Sequence, residues 1–436
     1  MNSQMSASDV GLGLGLGVAS PLSGSPLSEA RAGLDACVHC GFCMQACPTY
    51  LALDDENDSP RGRLFLMRSM LEGALSPDDP EAHAHLDKCL GCRACETVCP
   101  SGVPYGQLLE ATRATLTKRQ PLPFVARMML AVFARPVLMR AAMRAGRFVR
   151  ASRLGALIAK LLPGRAGTAF AMLEATRPAR RSRAYVAKGS GERGTVAVLE
   201  GCVMDGLYAD TNAATARTLT VNGYTCAAAD GQACCGALHA HAGDLDSARR
   251  MAKRNIAAFE RSGADLVASN AAGCGAMLKE YGRLLADEPQ WVERAQRISA
   301  KSRDVSELLA AAGPMQGGRL DLRVTYAAPC HLIHAQRLST PPLTVLAAIP
   351  GLTLVPLTDS DQCCGAAGIY NLLEPGTSAA VLEPKLANIA NTKADLVATG
   401  NPGCLMQIGA GLRREGSDTR VIHPVDLLDA SYAARG

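Results

Sequence analysis

Cys37-Val38-His39-Cys40-Gly41-Phe42-Cys43-Met44-Gln45-Ala46-Cys47-Pro48 and Cys89-Leu90-Gly91-Cys92-Arg93-Ala94-Cys95-Glu96-Thr97-Val98-Cys99-Pro100 present the same run twice. A cubane [4Fe–4S] cluster needs one thiolate per iron, and two-residue spacers let three sulfurs converge from one tight loop. The fourth cysteine of each run sits too far round that loop and, in two-cluster proteins, crosses to the other cluster. The spacing therefore predicts one cluster on Cys37, Cys40, Cys43 and Cys99 and another on Cys89, Cys92, Cys95 and Cys47, close together in one ferredoxin-type unit. Structural zinc also uses C-x2-C pairs, but has no use for a third x2-spaced cysteine and a Cys-Pro ending in both runs.

Working outward, the 436 residues suffice for two to four domains, and 48% apolar with 19% charged residues is a globular composition. Seventeen cysteines without a secretory signal point to a reducing, cytosolic setting. No charge-free apolar stretch of about 18 residues occurs, so no membrane-spanning helix is expected. The net charge of +5 is unevenly spread: residues 113–188 hold seventeen Lys or Arg and one acid, Glu174, which leaves 28 basic and 39 acidic residues elsewhere. That segment should face something negative.

Residues 1–30 are expected to be a disordered tail. Their Gly-Leu alternation, Gly11 to Gly17, lacks the strand and helix that make a nucleotide loop. The ferredoxin-type domain is placed at 31–112. Between its runs, Pro60-Arg61-Gly62-Arg63 precedes the periodic Leu64, Met67, Leu71 and Leu75, which predicts a helix against the clusters. Arg61 and Arg63 either offset the charge of thiolate-ligated iron or form a solvated helix start. A turn after Pro100 leads to a helix starting near Gln107.

Residues 113–190 read as a basic amphipathic helical segment. Phe124, Val125, Met128, Met129, Val132 and Phe133, then Val137, Leu138, Phe148, Leu154 and Leu157, are interleaved with Arg127, Arg135, Arg140, Arg144, Arg147, Arg150 and Arg153. Such interleaving suits an anionic membrane surface or an acidic partner. No reading helix or aromatic platform for nucleic acid accompanies it.

From 191 the chain is duplicated, 191–316 and 317–436. Cys202, Cys234-Cys235-Gly236 and Cys274 recur as Cys330, Cys363-Cys364-Gly365 and Cys404, at offsets of 128, 129 and 130 residues. Each copy reads as strand, helix, strand, Cys-Cys-Gly turn, long helix and an Asp-Leu-Val-Ala strand, hence a small parallel sheet with its cysteines at the strand ends. Two pairs in register suggest a metal or redox role for these eight thiols, against inert packing. His239, His241, His331 and His334 are read as ordinary polar or capping residues, and Cys226, unmatched in the repeat, as packing. The fold class is thus α+β multidomain: a helical two-[4Fe–4S] ferredoxin-type domain followed by a tandem repeat of small α/β cysteine-rich domains.

The quoted cysteine runs, Pro60-Arg61-Gly62-Arg63, His85-Leu86-Asp87-Lys88-Cys89 and Ser101-Gly102-Val103 resemble the iron–sulfur subunit of bacterial glycolate oxidase from about residue 31 to 433. The cluster motifs are shared with anaerobic glycerol-3-phosphate dehydrogenase, lactate-utilisation and heterodisulfide reductase subunits. The resemblance implies an FAD-containing dehydrogenase subunit and a second flavoprotein-like subunit as partners. It also implies glycolate oxidation to glyoxylate at that flavin, and electron delivery to a non-NAD acceptor such as quinone at the cytoplasmic face of the inner membrane. This chain would be inactive alone and hold no catalytic residue. D-lactate or glycerol 3-phosphate are the alternative substrates. The duplicated half resembles the cysteine-rich domain of heterodisulfide reductase, whose full motif ends in Cys-x-x-Cys and can hold a further cluster; here Met277 and Gln407 stand in those places. A disulfide reductase acting through Cys234 or Cys363, and a zinc-stapled nucleic-acid binder, are the rival readings.

Overall fold

The computed structural model describes residues 21–152, 154–162, 164–176 and 187–435. Most of the expected tail, including the Gly-Leu stretch, and Arg153 lie outside these residues.

Eight helices build the N-terminal module: Pro26–Glu29, Arg31–Asp35, Phe42–Gln45, Pro48–Leu53, Pro60–Glu72, Pro80–Asp87, Ala94–Thr97 and Tyr105–Arg119. Four of them open on proline at the first turn, where its missing N–H costs nothing and its fixed φ suits the helix. Leu27, Leu34, Leu64, Met67, Met70, Leu86 and Leu108 form the core. Two expected boundaries move. Residues 21–30 are not all tail, because Leu22 and Leu27 fill this core and Leu27 N–H donates to Thr115 Oγ1 at 3.1 Å. The last helix starts at Tyr105 and runs on to Arg119, beyond residue 112. Arg113 therefore belongs to the module as a clamp: it donates to the carbonyls of Cys89 at 2.8 Å and of His241 at 2.9 Å.

Residues 195–435 hold two four-stranded, all-parallel sheets. The first comprises β1 (Thr195–Val198), β2 (Thr225–Ala227), β3 (Leu266–Ser269) and β4 (Ser302–Asp304), in the order β2-β1-β3-β4. The second comprises β5 (Leu322–Tyr326), β6 (Leu352–Val355), β7 (Leu396–Ala398) and β8 (Arg420–Ile422), in the order β6-β5-β7-β8. The edge strands β4 and β8 were not expected; three residues with arginine in each carry too little pattern. One apolar core joins the copies, through Val196, Ala268, Val305, Val324, Ala398 and Leu428.

His423 fastens that joint. It is 2% exposed, its Nε2 lies 2.8 Å from the Asn270 carbonyl, and its Nδ1 accepts from Val425 N–H. Only the neutral ring can do both. Burial accordingly pulls it down to about 4, with the Asn270 hydrogen bond opposing. Because the folded value lies below the unfolded one, this stabilisation is complete above about pH 6.5 and fades as pH falls toward 4. Each pH unit in that window is worth about 1.4 kcal/mol. His423→Gln, which can still donate and accept, should flatten the fall in thermal midpoint between pH 7 and 5.5 relative to the parent.

Among its described residues the basic segment forms four helices, Phe124–Ala134, Pro136–Ala151, Leu154–Leu161 and Gly164–Ala175, laid across the other domains. Leu130 O faces His239 Nε2 at 3.1 Å. Met143 packs on Gly206, and Ala175 on Gly409. The outer side leaves Phe124, Met128, Val137, Phe148, Leu157 and Leu161 exposed beside exposed Arg127, Arg135, Arg140, Arg144 and Arg147. No helix among the described residues is long and apolar enough to cross a membrane.

Candidate metal centres and thiol sites

Each cysteine run wraps a short helix entered through a left-handed residue, Gly41 (φ 85°) before Phe42 and Arg93 (φ 66°) before Ala94. The two loops face each other across the start of helix Pro60–Glu72. Two cavities result. One is lined by Cys37, Cys40, Cys43 and Cys99, with Cys95, Gly41 and Arg61 at its wall. The other is lined by Cys47, Cys89, Cys92 and Cys95, with Thr49, Arg63 and Tyr105. The outer cavity thus takes three thiols of the first run together with Cys99 and Cys95 of the second, and the inner one takes three thiols of the second run together with Cys47 of the first.

The Pro-Arg-Gly-Arg stretch explains itself here. Proline starts the helix, and the flanking arginines reach different cavities. Gly62 passes so close to the preceding turn that a Cβ would collide with Glu56 O. Arg61 pairs with Glu56 at 2.6 Å near the surface. Arg63 is 0% exposed and donates to His85 O at 2.7 Å, Thr49 Oγ1 at 3.1 Å and Asp58 Oδ1 at 3.4 Å. Asp58 also meets His85 Nδ1 at 2.9 Å and Lys88 Nζ at 3.0 Å. Burial pulls the Arg63 guanidinium down, yet Cys89, Tyr105, Cys47 and Asp58 more than offset it and its pKa ends up raised. Of the alternatives open for these arginines, Arg63 is thus the buried counter-charge.

The cavities differ in depth. Cys40 is exposed and Cys37, Cys43 and Cys99 are half-buried, whereas Cys47, Cys89, Cys92 and Cys95 are all buried. Val38, 67% exposed, lines the outer one, and Phe42, 66% exposed, stands between its lining residues Gly41 and Cys43 in the same loop. Donors point at the sulfurs: Val103 N–H at Cys99 (3.4 Å), Gly91 N–H at Cys89 (3.5 Å) and Tyr105 O–H at Cys89 (3.6 Å). Burial, then the charges of Cys37, Cys40 and Cys47, push the Cys43 thiol up to about 11. Four converging sulfurs, backbone donors and a buried cation suit an anionic thiolate-ligated group. Such donors also tune iron–sulfur potentials.

The eight later cysteines gather at the carboxyl ends of their sheets. Cys202 and Cys274 follow β1 and β3, on either side of the point where the strand order reverses, and the Cys-Cys-Gly turn follows β2; the second copy repeats this. Cys202 and Cys234 Sγ lie 3.4 Å apart, and Cys364 and Cys404 Sγ 3.2 Å apart. In the first copy, contacts from Cys202 and Cys235 hold Cys234 well below the usual thiol range; in the second, Cys363 and Cys404 do this to Cys364. Cys226 sits on β2 with its thiol 3.5 Å from Ala216 O, a packing residue.

The histidines are interdomain fasteners. His241 Nδ1 meets Glu110 at 3.1 Å and His334 Nδ1 meets Thr97 Oγ1 at 2.8 Å. Burial acts against the Glu110 carboxylate, but His241 and Arg283 bring it down to about 2. Arg93, inside the second run, pairs with Glu280 of the first copy. His331 Nδ1 stands 3.4 Å from the sulfur of its chain neighbour Cys330. Lys385, 2% exposed and near Cys364 and Cys404, was not singled out in the sequence, where a helical lysine reads as solvated.

Against known proteins, the 4Fe-4S dicluster domain family matches residues 33–103, and the cysteine-rich domain family matches residues 196–279 and 324–409. A protein of Bacillus subtilis named probable glycolate oxidase iron-sulfur subunit is 38% identical over 417 residues, covering 90% of this chain and 92% of its own length. The glycolate oxidase iron-sulfur subunit of Escherichia coli is 34% identical over 406 residues, covering 92% and 95%. Lactate utilization protein A of Geobacillus thermodenitrificans is 32% identical over 230 residues, covering 52% and 95%. With thiol-lined cavities in the matched dicluster region, a duplicated cysteine-rich half and similarity along nine-tenths of its length, the chain belongs to the glycolate oxidase iron–sulfur subunit family.

Proposed function

We propose that this chain is the electron conduit of a glycolate dehydrogenase complex. It would take electrons from the flavin of a partner subunit, released as glycolate becomes glyoxylate, and pass them to a non-NAD acceptor such as quinone. The observation that carries this is the pair of cavities, each drawing thiols from both runs. Cys37, Cys40, Cys43 and Cys99 would hold one [4Fe–4S] cluster and Cys47, Cys89, Cys92 and Cys95 the other. When bound, these clusters supply one-electron oxidation and reduction.

The protein's own residues do the rest. Arg63 and Arg61 offset cluster charge, the N–H and O–H donors stabilise electron-rich sulfur, and the exposed rim of Val38 and Phe42 offers the flavoprotein a route to the outer cluster. Glycolate is favoured over lactate because similarity to the glycolate oxidase subunits runs through about nine-tenths of the chain, against about half for lactate utilization protein A. Anaerobically purified protein should carry about eight iron and eight acid-labile sulfide per chain, four for each cubane. The reconstituted complex should bleach those clusters on adding glycolate. Zinc without sulfide would refute the reading.

The exposed arginine and apolar side chains of the basic helices support docking on an anionic membrane surface, at the cytoplasmic face of the inner membrane. Replacing Arg140, Arg144 and Arg147 together by Gln should weaken sedimentation with anionic-lipid vesicles by about a hundredfold, at about 1 kcal/mol per charge. Equal binding of parent and variant would rule this out.

A further inference from the structure

The two cysteine-rich copies share a fold, but three differences all fall on the second. Its Cys363 thiol contacts Cys92, in an apolar cluster with Leu90, Tyr370 and Val381. The thiols of the first copy lie in that copy's own core, which contains no cysteine of either run. Second, Lys385 is buried on helix Pro375–Thr392, donates to the carbonyls of Ser360 at 3.1 Å and Asp359 at 3.3 Å, and forms no ion pair among the described residues. It stands within electrostatic reach of Cys364, Cys404 and Cys363. The equivalent place on helix Leu245–Ser262 holds the neutral Asn255, bonded to Cys234 O, Tyr281 and Ala233. Third, a π-turn at His331–Ala335 follows Cys330, where the first copy has an ordinary helix, Val203–Leu207, after Cys202. Single π-turns gather at functional sites.

A buried ammonium is costly unless it faces an anion. Here the groups within its reach are three thiols and, more weakly, the Asp361 carboxylate, with which it forms no ion pair among the described residues, so the lysine makes sense if one of the thiols is ionised in part of the working cycle.

We propose that the second copy is a two-electron sulfur centre coupled to the inner cluster, with Cys364 and Cys404 closing to a disulfide when oxidised and Cys363 linking that pair to Cys92. This rests on Cys92 being a cluster ligand. On reduction, two electrons arrive singly from the reduced iron–sulfur cluster and the Cys364–Cys404 S–S bond breaks. One sulfur becomes a thiolate facing the Lys385 ammonium, and the other takes one proton from water and becomes a thiol. Oxidation runs the same steps backwards. A two-electron store beside one-electron carriers matches a flavin that releases electrons in pairs. The first copy, whose thiols lie in a core without a cysteine of either run and whose equivalent helix position holds Asn255 and no lysine, is structural.

The test uses the full cluster-loaded chain, poised anaerobically at graded potentials with mediator dyes, then unfolded in acid and alkylated with iodoacetamide. Mass spectrometry should show Cys364 and Cys404 passing together from protected to alkylated as the potential falls. Cys235 and Cys274 should be alkylated equally throughout. Cys363→Ala should slow oxidation of the reduced cluster signal by the disulfide at least tenfold. Lys385→Asn, which carries the first copy's residue, should shift the midpoint of the pair to lower potential, and it keeps the test open should Cys363→Ala lose iron. Full alkylation of Cys364 and Cys404 at every potential, or iron bound to them, would overturn the proposal. If both cubane signals and about eight iron persist in that case, the ligand reading stands alone; iron far below this would overturn both.

Discussion

Cys99→Ser should cost the protein about half its iron and sulfide, and the half that remains should resist ferricyanide. Cys47→Ser should lose a similar amount but leave the oxidant-sensitive half. The expectation follows from the sorting of thiols in space: Cys99 lines the cavity of the other run, with exposed Cys40, and Cys47 lines the buried one. If each run instead filled its own cluster, the two variants would exchange their sensitivities. Iron analysis before and after brief oxidation distinguishes the outcomes. Loss of all iron in both would mean that neither cluster survives without the other.

The second large effect is expected at Asp58. This carboxylate is 1% exposed and is shared by Arg63, His85 and Lys88, so removing it strands a guanidinium with no access to water. Breaking a buried pair by deleting one partner typically costs about 3–5 kcal/mol. Asp58→Ala should lower the stability of the loaded module by that order. Asp58→Asn, which keeps acceptor oxygen but no charge, should cost less. Denaturant unfolding followed by both helix content and cluster absorbance would measure the two. Near-equal stability of parent and Asp58→Ala would mean that the cluster thiolates alone compensate Arg63.

Much of the architecture was legible because it repeats. Cysteines at two-residue spacers, a Cys-Pro ending and a unit recurring after about 130 residues are local patterns, and each constrains chemistry or topology on its own. The helix after Pro60 was legible from proline and apolar periodicity. Harder to read were features whose meaning depends on a distant partner. Leu22 and Leu27 look like part of a polar, glycine-rich tail until Thr115 and the core receive them. Arg113 looks like the first charge of a basic stretch until it meets the carbonyls of Cys89 and His241.

By itself, then, the sequence determined the residue chemistry: eight thiols in two loops, two cysteine-rich copies with parallel sheets, and a charge-segregated linker. Tertiary structure decided which groups meet. It sent Arg61 and Arg63 from one turn to different cavities, made one cavity shallow and the other deep, and set Cys363 of only the second copy against Cys92. The reason is physical: spacing governs what a loop of a few residues can converge on. Burial, counter-charge and contact between copies arise only when segments far apart in the chain close on one another, and two nearly identical copies then acquire different neighbours.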